Sequence, residues 1–156
     1  MKLQNILFSF HGRIGRRTYW VAILALIVAV LALSFAPFLL KNEEVAVLML
    51  ALTSQFLWLL SLWPILAVGS KRLHDRNKNG WWLLVFWLLP FALFCGGLSV
   101  YLFDDPRTGR SGDFLTGSIL IFASLPPGLW GIVELGILPG TKGPNQYGAD
   151  PAQQPT

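Results

Sequence analysis

The sequence predicts an all-α integral membrane fold: a four-transmembrane-helix bundle with both termini cytoplasmic and a short N-terminal interfacial helix. Three observations carry that prediction. First, the 156-residue chain is 54% apolar and only 13% charged, about half the charged share of a soluble domain, so its eight acids and twelve bases cannot cover a water-facing surface. Second, four continuously apolar runs are each long enough to cross about 30 Å of hydrocarbon, which takes roughly 20 helical residues. Third, the basic residues fall on alternate segments between those runs. Mean hydropathy is +0.56, and seven tryptophans with eleven phenylalanines exclude a disordered chain. The lone Cys95 rules out an intramolecular disulfide framework and a cysteine-based zinc site.

Residues 1–18 form the first segment. Leu3, Ile6, Leu7 and Phe10 recur at i, i+3, i+4 and i+7, one face of a short helix lying in the membrane interface and ended by Gly12. The four spans follow at 19–40, 45–68, 81–103 and 114–138, and with the tail 139–156 they make one membrane domain over 1–156. The first span holds thirteen Val, Ile, Leu or Phe residues and no charge, worth roughly −4 to −8 kcal/mol of insertion at most. Its Ser34, Phe35 and Ala36 resemble a signal-peptide cut, but Pro37 and the length of the run argue that the span is retained. The apolar runs do not alternate every second residue, which excludes barrel strands. In the third span Gly96 and Gly97 predict a close helix approach, and in the fourth Pro126, Pro127 and Gly128 predict a break midway.

Orientation follows from the bases outside the spans. Lys2, Arg13, Arg16, Arg17, Lys71, Arg72, Arg76, Lys78 and Lys142 lie on one side of a four-helix path, and only Lys41, Arg107 and Arg110 on the other. Nine against three places both termini in the cytoplasm by the positive-inside rule. Trp20, Trp81 and Trp82 then sit where interfacial anchors belong, with Trp63, Trp87 and Trp130 deeper, as helix-packing residues.

The cytoplasmic segments hold the candidate site. Arg13, Arg16 and Arg17 precede the first span as a topology signal, with guanidinium groups suited to bidentate phosphate contacts. In the second segment Asp75 can meet Lys71 or Arg72 one helical turn back, and Asn77 to Gly80 is turn chemistry, with Asn79 and Gly80 favouring positive φ. His74 beside Asp75 invites an acid–base reading, but helical neighbours point about 100° apart, no nucleophile accompanies them, and a hydrogen-bonding hinge histidine is the simpler role. The tail offers Asn145, Tyr147 and Asp150 among dense Gly and Pro turn signals. The expectation is one packed cap in which Asp75 is held inside its own hairpin, Asp150 reaches an arginine and Tyr147 packs on the interfacial tryptophans. Within the spans, Gln55 near the middle of the second reads as an amide bridging helices, and Glu134 near the end of the fourth as an acid reaching water or basic partners. There is no catalytic residue set, metal motif or cofactor motif.

Three motifs together resemble a family. Gly12, Arg13, Arg16, Tyr19 and Trp20 match G-R-x-x-R-x-x-Y-W; Arg72, Leu73, His74, Asp75, Gly80, Trp81 and Trp82 match R-L-H-D-x-x-x-x-G-W-W; and Gly140, Thr141, Gly143, Asn145, Tyr147, Gly148, Asp150 and Pro151 match G-T-x-G-x-N-x-Y-G-x-D-P. In order, with helices between, they resemble the bacterial inner-membrane family called domain of unknown function 805. The resemblance implies a multi-pass bacterial inner-membrane location and no established activity. Lys71, Asn79 and Gln146 stand where related sequences often carry arginine, serine and a base.

These observations favour a small non-enzymatic membrane protein whose basic cap binds anionic lipid or a protein partner. Its candidate residues are Arg13, Arg16, Arg17, Arg72, His74, Asp75, Trp81, Trp82, Asn145, Tyr147 and Asp150. The alternative is an oligomeric channel or transporter component built on Gln55, Glu134 and the proline break. A third reading is an enzyme acting on lipid head groups through His74 and Asp75. A homo-oligomer is a possible partner state. Nucleic acid is not an expected partner, since the bases serve topology and form no soluble basic domain.

Overall fold

A computed structural model describes residues 3–39, 43–102 and 113–153. Among them the structure is helical apart from turns and one isolated bridge, and four helices are long and apolar enough to cross a membrane. The chain divides into two compact units, Met1–Lys78 with Pro139–Thr156, and Asn79–Leu138.

The first unit begins with α1 (Leu3–Phe8), shorter than the apolar spacing predicts. Phe10 lies beyond it and sets its ring edge-on to Trp63 with centroids 5.1 Å apart, while Trp63 Nε1 donates to the Phe8 carbonyl at 3.4 Å. Trp63 thus secures the interfacial segment as well as standing in a span. The chain then enters α2 (Arg16–Phe35), which ends in a 3-10 turn (Ala36–Leu39) around Pro37. α3 (Glu43–Asp75) packs against α2. At 1.5 Å per residue its 33 residues span about 50 Å, well over the hydrocarbon thickness, so the turns at 71–75 project past the apolar span.

α3 stops in a Schellman motif. Lys78 N–H donates to the Leu73 carbonyl and Asn77 N–H to the His74 carbonyl, both at 2.9 Å, with Asn77 left-handed at φ +57°. The positive φ expected at Asn79 or Gly80 therefore belongs to Asn77, because the helix end needs it there. Asn79 instead accepts the Trp81 N–H with its side-chain oxygen at 3.2 Å, an Asx turn starting the next helix.

In the second unit a π turn (Leu84–Leu88) runs into α4 (Leu89–Leu102), just ahead of Pro90. α5 (Asp113–Ile132) runs through Pro126 and Pro127 without a break, contrary to the sequence expectation, and widens only afterwards into a π turn (Val133–Ile137). Prolines are carried in membrane helices when neighbours brace the backbone. Here Gly128 lies against Pro90 and Gly131 against Phe86. Gly97 meets Gly117 backbone so closely that a Cβ would stand 2.7 Å from its carbonyl oxygen, the approach that the sequence predicts. Phe86, Trp82 and Trp130 form an aromatic cluster with ring centroids 5.5–5.8 Å apart. Lys2, Lys41, Asp104, Asp105, Arg107 and Arg110 lie outside the described residues, as does most of the two loops expected on the far side.

Candidate functional site

The first unit gathers three distant segments at the end of α3. Arg13 is 4% exposed and uses every N–H that a guanidinium has. Nε and Nη2 donate to Asp75 Oδ1 at 3.2 and 3.1 Å. Nη1 donates to the Gly143 and Gly148 carbonyls at 2.7 and 3.2 Å, and Nη2 also to the Thr141 carbonyl at 2.7 Å. The other carboxylate oxygen, Asp75 Oδ2, accepts from Nη1 of Arg72, whose side chain is fully buried. One carboxylate therefore sits between two guanidinium groups, and the tail's carbonyls supply the remaining negative field.

Backbone satisfaction explains why the tail docks there. A helix leaves its last carbonyls without intrahelical donors. Thr141 supplies them to Asp75: its N–H donates to the Asp75 carbonyl at 2.8 Å and its hydroxyl to the same oxygen at 3.1 Å. Asn145 Nδ2 donates to the His74 carbonyl at 2.9 Å, and Arg76 Nη1 to the Pro139 carbonyl at 2.7 Å. Gly140 lies so close to the Asp75 carboxyl that a side chain there would overlap it.

His74 joins the N-terminal segment to the tail. Its ring lies flat on Tyr147, centroids 3.9 Å apart and planes 3° from parallel. Nδ1 is 3.2 Å from the Gly12 carbonyl, which can only accept, so this nitrogen carries the proton. Burial lowers the His74 pKa below its usual 6.5, the bond to Gly12 partly opposes that, and His11 and Lys71 add to the lowering. Asp150 is turned back into the tail. Its oxygens accept the N–H groups of Gly143 at 2.9 Å and Ala152 at 3.0 Å, which hold its carboxyl below the usual range. Lys71 is fully buried, and Nζ donates to the Asn5 and Ile6 carbonyls of α1. Burial brings its ammonium down to about 8.

The single cap expected from the sequence is present, with different pairings. Arg72 holds Asp75 as expected, but Lys71 does not, because it closes the end of α1. Arg13, 62 residues away, is the second partner. Asp150 staples the tail where an arginine was expected, and Tyr147 stacks on His74 where the tryptophans were expected. Arg16 and Arg17 stay exposed at the start of α2. Trp81 and Trp82 belong to the second unit, 72% and 36% exposed. Gln55 is exposed on α3 and bridges to no other helix among the described residues of its unit, and Glu134 is buried at 2% exposure rather than open to water. Sequence reading missed Thr141 as a contact residue; its signal was its place two residues after Pro139 in a tail that must cap something. His74 and Asp75 face different partners, the Gly12 carbonyl for one and two guanidinium groups for the other. Among the described residues no three His, Cys, Asp or Glu side chains gather as metal ligands.

The fold and this arrangement define a class: a small multi-pass membrane protein whose N-terminal segment and C-terminal tail interlock over the end of one long helix. The chain belongs to the family described as Protein of unknown function (DUF805), which it matches over residues 7–149. It is 33% identical over 151 residues to the Uncharacterized protein YiiR of Escherichia coli strain K12, covering 96% of this chain and 90% of that one. It is 32% identical to the Inner membrane protein YhaI of that strain over 66% of this chain and 90% of the relative. Against the Inner membrane protein YhaH it is 28% identical over 72% and 88%. No solved structure matches. The protein is thus a multi-pass inner-membrane protein of a family whose function is unknown.

Proposed function

We propose that this is a non-enzymatic protein whose basic cytoplasmic cap holds anionic lipid headgroups, with the labour divided among its arginines. Arg13 and Arg72 hold the cap together. Arg16 and Arg17 take the lipid. The observation that carries this reading is the contrast in exposure: Arg13 and Arg72 are 4% and 0% exposed, whereas Arg16, on the same motif as Arg13, and its neighbour Arg17 are exposed. Around them the first unit offers an apolar surface suited to the acyl boundary, with Leu3, Phe8 and Trp20 exposed at 68%, 58% and 40%. Guanidinium groups at headgroup depth bind phosphates bidentately and gain about 1 kcal/mol each from an anionic leaflet.

The test is native mass spectrometry with phosphatidylglycerol and cardiolipin. Replacing both Arg16 and Arg17 by glutamine should weaken lipid retention by roughly thirtyfold and flatten its salt dependence. Arg13→Gln should instead lower the melting temperature first. Lipid retention unchanged in the Arg16→Gln/Arg17→Gln variant would reduce those arginines to topology signals and leave a protein partner as the reading to pursue.

A further inference from the structure

The middle of α3 carries a polar group that the chain leaves uncovered. Leu48, Leu52, Gln55, Leu59 and Leu62 follow one another at spacings of four, three, four and three residues, the repeat of a helix–helix seam. The four leucines are 57%, 59%, 68% and 49% exposed, and Gln55 is exposed among them. The opposite side of the helix is occupied, with Ala46 and Ser61 buried at 3% and 6%. The other polar side chains nearby are satisfied by their own helix: Thr53 donates to the Met49 carbonyl at 2.6 Å, Ser54 to Ala51 at 3.1 Å and Ser61 to Trp58 at 2.8 Å. Gln55 has no such bond among the described residues. Its amide, two N–H donors and one carbonyl, would lie near the centre of the hydrocarbon, where no water competes and an unmet amide is costly.

We propose that the chain self-associates through this stripe, with Gln55 of one copy hydrogen-bonded to Gln55 of a second. A primary amide is both donor and acceptor, so it is its own complement. Two copies inserted in one membrane share a topology, so their α3 helices run parallel. A two-fold axis along the membrane normal then brings residue 55 opposite residue 55, and each flanking leucine opposite its twin. A single polar side chain in an otherwise apolar seam sets the register of such a pair.

Disulfide trapping in native membranes tests this, in a Cys95→Ala background that removes the native thiol. Leu52→Cys and Leu59→Cys should form dimers several-fold faster on oxidation than Phe56→Cys and Leu60→Cys, which are as exposed, at 66% and 61%, but stand off the stripe. Gln55→Leu, on an exposed site, should leave the melting of the monomer alone. It should raise the dimer dissociation constant in lipid, read by energy transfer on dilution, about three- to twentyfold, with Gln55→Asn losing less. Equal trapping on and off the stripe overturns the proposal, and so does a dimer indifferent to Gln55→Leu.

Discussion

Arg13 shows why one side chain can close a three-segment cap. A lysine has three donors on a point charge. A guanidinium spreads five over a plane, and here two sit on a carboxylate and the rest on tail carbonyls. The acid between the two arginines is the weak point, since losing one partner of a buried ion pair leaves an uncompensated charge at a cost of about 3–5 kcal/mol. Asp75→Asn should therefore lower the stability of the cap by that order, measured by thermal unfolding in detergent. Gly140→Ala should act through the same group, because the added methyl overlaps the Asp75 carboxyl, which two guanidinium groups keep from turning aside. Gly143→Ala makes a useful contrast. Its Cβ has open space, but its φ of +74° imposes only a backbone penalty, about 1–2 kcal/mol. A Gly140→Ala protein that melts no lower than Gly143→Ala would mean the tail does not bear on Asp75 as described.

The elements that meet in the cap hold each other by their unfinished ends. At the end of α3 the His74 and Asp75 carbonyls take donors from the tail, α1 leaves its Asn5 and Ile6 carbonyls to Lys71, and the tail's own carbonyls accept from Arg13 and Arg76. The sequence made the segments legible, because Gly, Pro and Asn punctuation marks where helices stop and three motifs must share one membrane face. It did not make the pairings legible. Asp75 and Asp150 are equivalent by charge, and only the placement of the Gly143 and Ala152 N–H groups commits Asp150 to its own loop. Likewise Tyr147 has aromatic choices by composition, and the tail's Asn145–Gly148 bridge leaves it over His74. This lock should weaken in acid. The His74 pKa is depressed in the folded cap, so the unfolded segment binds the proton more readily. The stabilisation is complete above the ordinary value of 6.5 and is lost as the pH falls through the lower folded value. Asp150, also depressed, acts in the same direction further down, below 3.8. Lowering the pH from 7.5 to 5 should lower the melting temperature and open Arg72 and Arg76 to a protease active in acid and specific for arginine. A chain truncated after Pro139 should show that exposure at every pH. If the full chain is indifferent to pH over this range, neutral His74 is not part of the lock.

For the whole molecule, the bilayer imposes the strongest constraint, which is why four spans could be read from runs of apolar residues alone. What hydropathy cannot give is the unbroken course of α5 through two prolines, since that depends on Pro90 and Phe86 bracing it from α4 and the turn before it. Sidedness is a further inference that combines two independent facts. Contacts tie the N-terminal segment, the end of α3 and the tail into one body, through Arg13, His74 and Thr141, so these three must lie on the same side whatever that side is. The bases then choose the side: nine of the chain's twelve belong to these segments, and segments rich in lysine and arginine stay in the cytoplasm. The prediction is that reporters fused after Glu44 and after Asp150 give opposite answers. A reporter active only outside the cytoplasm should work at Glu44 and fail at Asp150, and a cytoplasmic reporter should do the reverse. Equal behaviour at the two sites would contradict the path from the cap through α3. Reversed behaviour would keep the cap intact and put it on the outer face, where the inner leaflet's anionic headgroups could not be its ligand.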